Sequence, residues 1–134
     1  MAKANDNLLF LRGYSESLAD PLYELGDLFL MPSSFEPCGI SQMLAMRAGQ
    51  PCVVHAVGGL KDTVDDEQTG FVFNGHDLQS QASAFVASTR RALAVRKNQP
   101  AVWRSICKRA KQTRFEWSDS AAITVKALYE VESA

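Results

Sequence analysis

The chain has 134 residues and a formal net charge of -1, with Lys plus Arg at 14 and Asp plus Glu at 15. Hydrophobic residues make up 46 % and charged residues 22 %, which excludes wholesale disorder and gives apolar material for one domain core, not two. The charge balance argues against nucleic-acid binding by bulk positive charge. Apolar stretches, Leu8 to Leu11 and Leu28 to Met31 among them, reach only four residues, too few to cross a bilayer.

Asn7 to Gly13 (NLLFLRG) reads as a buried strand ending at a glycine. Ser17 to Leu25 has Leu18, Leu22 and Leu25 at helical spacing. Asp27 to Met31 is a second strand, stopped by Pro32. Ile40 to Ala48 is a helix closed by Gly49 as its C-terminal cap. Pro51 to Ala56 is a third strand, Leu60 to Asp65 a short helix, and Gly70 to Asn74 a fourth strand. Continuous apolar strands separated by helices predict a parallel α/β sheet of about four strands, covered on both faces, a partial Rossmann-like architecture.

The remainder predicts helices. Asp77 caps a long one with Leu78, Ala82, Phe85, Val86 and Leu93 at apolar positions. Asn98-Gln99-Pro100 breaks it. Ala101 to about Arg114 follows, with Val102, Trp103, Ile106 and Ala110 inward, and Ser118 caps a last helix whose stripe is Ala121, Val125, Leu128 and Tyr129. A single domain over 1–134 is expected, with strand–helix units over 1–75 and a helical tail over 76–134. Arg90 to Arg114 holds nine basic residues and no acid, either a solvated face or a contact surface for an anionic partner. Only Trp103 is interleaved with these charges and its spacing puts it inward, so nucleic acid is not the expected partner.

Cysteines stand at 38, 52 and 107. Their number is odd, no C-x-x-C occurs, and the two histidines are not spaced to complete a zinc site, so no metal is expected. The opening Met-Ala-Lys-Ala-Asn-Asp lacks an apolar core, so no signal peptide is expected. Reduced thiols in a cytoplasmic protein are the simplest reading.

The chemistry is expected between Asp27 and Val64. A strand leads to Pro32-Ser33-Ser34, Glu36 follows in the loop, and Pro37 and Gly39 open a helix. Loops at the C-terminal ends of strands in open α/β sheets bind ligands. Amides around Gly39, Ile40 and Ser41 at a helix start suit an anion. Gly58-Gly59 after the next strand would lay a second loop beside the first. Glycines at such turns serve backbone geometry as readily as ligands. Glu36, held between Phe35 and Pro37, is a candidate catalytic carboxylate or simply a solvated charge. His55 reads as a packed neutral histidine. Cys38, near a helix start, is expected to be oxidation-sensitive without being catalytic.

The string PSSFEPCGISQMLAMRAGQPCVVHAVGGLKDTV closely resembles the donor-site segment of bacterial glycogen synthases and plant starch synthases, retaining GT-B glucosyltransferases that use ADP-glucose. Gly13-Tyr14, TGFVFN and FEWSDSAAITVKALYE extend the resemblance over nearly the whole chain. It implies the latter part of a C-terminal donor-binding domain. Glu36 would bind the donor sugar's hydroxyls, amides at Cys38 and Gly39 would contact the glucose, and Ile40 and Ser41 would meet the diphosphate. Gly58 and Gly59 would complete the substrate-binding loops, and Tyr14 would stack on the base. Glucose would pass from ADP-glucose to the non-reducing end of an α-1,4-glucan with retention, without metal or cofactor. A non-catalytic nucleotide- or sugar-binding module is the alternative.

Ser34 stands where this family usually has Arg, Leu44 where wider GT-B enzymes carry a ribose-binding Glu, and Val57 where a Thr precedes the glycines. The family's Arg and Lys diphosphate clamp has no counterpart here, and the acceptor binds through an N-terminal domain. The isolated chain is therefore expected to be inactive. The resemblance implies a cytoplasmic location, or the plastid in a plant. In the 3-2-1-4-5-6 order the chain would hold strands 3 to 6, and its exposed edge is expected to promote self-association.

Overall fold

A computed structural model describes residues 7–129. Helix α1 (Glu16–Leu25) leads to strand β1 (Phe29–Met31), then α2 (Ser41–Ala48), β2 (Cys52–His55), α3 (Gly58–Thr63) and β3 (Gly70–Phe73). Helices α4 (Leu78–Asn98), α5 (Pro100–Gln112) and α6 (Trp117–Leu128) follow. The strands form one parallel sheet in the order β1-β2-β3, with Leu30 beside Val53 and Val53 beside Phe71.

Strand alternation sorts the core into two layers. Cys52 and Val54 face Ala45 and Met46 of α2 and Leu60 of α3. Val53, Phe71 and Phe73 face Ala92 of α4 and Trp103 and Ile106 of α5. Helix α5 joins both layers, because its Ala110 belongs to the first cluster. Phe71 is fully buried and its ring stacks on Trp103 at 6.3 Å between centroids.

Local signals explain most boundaries. Gly49 closes α2 in the left-handed conformation, φ +94°, which glycine adopts without a Cβ clash. Asp77 caps α4 by accepting from the Ser80 amide at 2.8 Å, and the Asp77 amide in turn donates to Ser80 Oγ at 3.1 Å. The Ser80 backbone bond, joined by the Ser80 hydroxyl, holds the Asp77 carboxyl below its ordinary range. The chain breaks at Gln99, and Pro100 starts α5 in the first turn, where the missing amide donor costs no helical bond.

Four expectations are corrected. Asn7–Gly13 forms no strand, so among the described residues the sheet has three strands and not about four. Leu8, Leu9, Phe10 and Leu11 are all exposed. In the 3-2-1-4-5-6 order, strands 2 and 1 lie between strand 3 and strand 4, so this segment has no pairing neighbour among the described strands. Both β1 and β3 are edges of the described sheet, and β1 is the one on the side that strands 1 and 2 would cover in that order. Second, the short third helix starts at Gly58, two residues before Leu60, and ends at Thr63, not Asp65. Third, α6 has Glu116, not Ser118, at its N-cap position, and no side chain caps it. Fourth, the α6 stripe of Val125, Leu128 and Tyr129 is exposed, and no residue of that helix is buried.

The basic run is partly internal. Arg91 pairs with Asp66 at 2.6 Å and Glu67 at 3.0 Å and lies 5.4 Å over the Phe71 ring. Arg109 donates to the Gln68 carbonyl at 2.7 Å. These arginines dock α4 and α5 onto the loop before β3. Hydrogen bonding to Asp66 raises the Arg91 pKa above its ordinary value. Arg96 pairs with Asp27 at 2.9 Å.

Candidate functional site

Two loops leave the C-terminal ends of the adjacent strands β1 and β2. The first runs from Pro32 to Ile40 and the second is Ala56-Val57, entering α3 at Gly58-Gly59. They touch through backbone. A Cβ on Gly58 would overlap the Glu36 carbonyl oxygen, and one on Gly59 the Cys38 carbonyl oxygen. Gly58 also has φ +46°, a conformation other residues adopt at a cost. These glycines are required because they admit the first loop.

Gln42 ties the loops from beneath. It is fully buried, and its Nε2 donates to the Gly39 carbonyl at 2.7 Å and to Thr63 Oγ1 at 3.2 Å. Thr63 Oγ1 in turn donates to the Gly59 carbonyl at 2.7 Å. Gly39 has φ +75°, and the space its Cβ would fill is held by Gln42 Oε1 at 2.5 Å. The missing side chain of Gly39 thus makes room for Gln42, a structural reason distinct from approach of a ligand. Gln42 Oε1 is buried with no partner among the described residues.

The loop delivers the chain to the start of α2. Leu44 donates the first helical bond, to the Ile40 carbonyl at 3.1 Å. Among the described residues no acceptor meets the amides of Ser41, Gln42 or Met43. No side chain caps this end. Cys38 and Ile40 are exposed, Glu36 and Ser41 are partly buried, and Gly39 is buried. The result is a carboxylate on a fixed loop followed by unfilled amides at the positive end of a helix.

His55 closes the back of the site. Its Nδ1 lies 3.1 Å from the Ser33 carbonyl oxygen, which requires the proton on that nitrogen, and its ring stacks on Phe73 at 5.1 Å. It is buried, as a packed histidine should be, and it anchors the first loop to the end of β2. Ser34 Oγ donates to Gln81 Oε1 of α4 at 2.8 Å.

Glu36, Cys38, Gly39, Ile40, Ser41, Gly58 and Gly59 are thus brought together. Tyr14 is not. It is 87 % exposed, donates its hydroxyl to Glu16 at 3.2 Å, and lines a separate cleft of about 620 Å³ with Gly13, Leu18, Leu22, Tyr23 and Phe29. Gln42 and Thr63 were missed from sequence. The available signal was a Gln three residues after a loop glycine, on the same helix face as Ala45 and Met46. Among the described residues no group of three or more His, Cys, Asp or Glu could hold a metal, and no helix is long and apolar enough to cross a membrane.

Residues 2–98 match the family described as glycosyl transferases group 1. The glycogen synthase of Moorella thermoacetica is 40 % identical over 121 residues, which cover 89 % of this chain and 25 % of that protein. The glycogen synthase of Streptococcus gordonii is 39 % identical over 134 residues, covering 96 % of this chain and 26 % of that protein. The catalytic domain of starch synthase IV from Arabidopsis thaliana, solved bound to ADP and acarbose, superposes with a TM-score of 0.76 at 34 % identity. That match covers 87 % of this chain and 24 % of the other. Sucrose-phosphate synthase from Thermosynechococcus elongatus gives 0.67 at 30 % identity, covering 92 % of this chain and 30 % of the other. The chain therefore spans about a quarter of the length of the curated relatives it matches. With its loops, sheet and sequence all in agreement, the chain belongs to the group 1 glycosyl transferases, as a GT-B-fold relative of the glycogen and starch synthases that matches their C-terminal donor-binding region.

Proposed function

We propose that these residues form the donor-binding portion of a retaining glucosyltransferase, one that passes glucose from ADP-glucose to the non-reducing end of an α-1,4-glucan. The observation that carries this reading is the contact of Gly58 and Gly59 with the Glu36 and Cys38 carbonyls. It holds an acid and a helix start on one fixed loop. The starch synthase relative was solved bound to ADP and acarbose, which supports a nucleotide as a ligand of this fold.

The chemistry follows from the groups present. As the bond from glucose to the diphosphate breaks, negative charge grows on the departing oxygen and positive charge on the sugar. Amides at Ile40 and Ser41 offset the first, because fixed dipoles need no reorganisation as charge develops. Glu36 offsets the second and holds the sugar hydroxyls. Amides at Cys38 and Gly39 position the ring, and Gly58 and Gly59 keep the loop in place. Tyr14 serves the base only if its own segment folds toward the loop, since the two are apart here. The acceptor and the diphosphate-neutralising cations come from the remainder of the enzyme, so the 134-residue chain binds donor without turnover.

A second reading, a non-catalytic nucleotide- or sugar-binding module, is favoured by Ser34. Its hydroxyl is engaged with Gln81 where the related synthases usually carry an Arg. Reconstitution with the remaining donor and acceptor portions of a related synthase separates the two. Glucosyl transfer from ADP-glucose to glycogen that is lost in Glu36→Ala supports the enzyme. Binding of ADP-glucose with no transfer supports the module, and no binding of either ADP-glucose or UDP-glucose overturns both.

A further inference from the structure

A slot of about 220 Å³ opens at the crest of the sheet, separate from the Tyr14 cleft. Three elements line it. Pro32 and Ser34 follow the end of β1, Phe73 is the last residue of β3, and Leu78, Gln81 and Phe85 belong to the N-terminal half of α4. The slot therefore stands where the parallel strands end, the side on which open α/β sheets bind ligands. Ser34 is two residues from Glu36, so their Cα atoms lie within about 7 Å of each other.

The lining is neutral and two-sided. No side chain along it carries a charge, so it offers no cation to a phosphate. The floor is Phe73, whose ring is held between His55 at 5.1 Å and Phe85 at 5.5 Å. Leu78, 78 % exposed, stands beside it as an apolar wall. Ser34 and Gln81 make the polar rim. Ser34 Oγ spends its proton on Gln81 Oε1 at 2.8 Å and keeps lone pairs that accept. Gln81 Nε2 donates one proton to the Gly75 carbonyl at 3.4 Å and has a second to give. A long side chain at position 34, where the related synthases usually carry Arg, would reach into this space.

We propose that the slot holds one glucosyl unit of the acceptor glucan, an inference that rests on the donor reading of the Glu36 loop. A pyranose ring presents the matching surfaces. Its carbon face lies against Leu78 and the phenyl floor, which removes apolar area from water. Its hydroxyls donate to Ser34 Oγ and accept from Gln81 Nε2. The volume falls below the about 300–1,000 Å³ of sites that take drug-sized ligands, so it suits a single ring and not a nucleotide. The remainder of the enzyme holds the body of the glucan. The slot keeps one unit of it beside the donor sugar, outside the reacting pair.

Maltotriose titrated into the 134-residue chain and followed by amide NMR tests this. Saturable shifts are expected at Ser34, Leu78 and Gln81, and glycerol at equal concentration should leave those amides in place. Gln81→Leu removes the polar rim at similar volume and is expected to weaken maltotriose about tenfold or more. Ala82→Phe, at another position that lines the slot, is expected to fill it and abolish the saturable shifts. Both variants should keep the parent spectrum elsewhere and the parent response to ADP-glucose at Cys38 to Ser41, which checks their folding. The slot inference alone is overturned if ADP-glucose moves Cys38 to Ser41 while maltotriose leaves Ser34, Leu78 and Gln81 unmoved. Equal shifts from glycerol, or full maltotriose affinity in either variant, overturn it as well. If ADP-glucose moves none of the loop amides, the donor reading fails, and the acceptor assignment fails with it.

Discussion

Gly59 and Cys38 share a space that only hydrogen and a carbonyl oxygen can fill: a methyl on Gly59 would overlap the Cys38 carbonyl. Two turns, twenty-one residues apart in sequence, are thereby fixed to each other. The precision of the loop carrying Glu36 comes from this contact and from the buried Gln42 to Thr63 bond beneath it.

Gly59→Ala is expected to push the two loops apart while leaving the sheet intact. Nucleotide affinity should fall by about tenfold or more, with a smaller loss of stability, about 1–3 kcal/mol, as typical for overpacking. Parallel calorimetry and thermal melts check both. Unchanged affinity in a folded variant would separate the loop contact from binding.

Gln42→Leu removes the bond to Gly39 and the unpartnered Oε1 together, in nearly the same volume. Stability is expected to change by less than about 1.5 kcal/mol, whereas donor affinity should drop because the loop loses its tie. Denaturant midpoints and donor titration give the two numbers. A large stability loss with unaltered binding would assign Gln42 to the core alone.

Glu36→Gln is expected to weaken ADP-glucose about tenfold and ADP hardly at all, because a carboxylate on sugar hydroxyls is worth more than an amide. Equal losses for the two ligands would move Glu36 off the sugar.

Thiol reactivity should follow exposure, with Cys38 first, the partly buried Cys107 second and the buried Cys52 last. Burial also raises the Cys107 pKa, and pushes Cys52 up from its ordinary 9.0 to about 12. The unfolded chain therefore releases the Cys52 proton first as pH rises. Stability is unaffected by this group below about pH 9 and falls above it by about 1.4 kcal/mol per pH unit until the folded thiol also ionises. Denaturation of the parent and of Cys52→Ala at about pH 8 and about pH 10.5 should show an excess loss in the parent only.

The unpaired β1 edge and the exposed Leu8–Leu11 are expected to drive self-association. Light scattering should report a mean mass that climbs with concentration. A constant monomer mass across a wide range would contradict this.

Most of the fold was legible because the signals were local. Gly49 after a Met- and Leu-rich run marks the end of α2, and Asp77 marks the start of α4 through a bond to Ser80 three residues on. The parallel sheet followed from apolar runs separated by helices, and its strand order from the family resemblance. Asn7–Gly13 was misread because its composition is that of a strand, but a strand requires a pairing neighbour, and none is found among the described elements. The α6 stripe failed in the same way, since periodicity reveals an apolar face and not the surface that covers it. In the site, the loop positions from Glu36 to Ser41 were readable from a strand-to-helix turn. The reason for Gly58 and Gly59 was not, because it lies in carbonyl contacts to Glu36 and Cys38, far back along the chain. Arg91 looked like part of a solvated charge run, and only the fold brings Asp66 to it.

The sharpest measurement is the amide NMR spectrum of the chain titrated with ADP-glucose. The largest shifts are expected at Cys38, Gly39, Ile40 and Ser41, with smaller ones at Gly58 and Gly59, and none at the α4–α5 elbow. Saturating shifts elsewhere with those four amides unmoved, or no shifts at all, would contradict a sugar diphosphate seated at the start of α2.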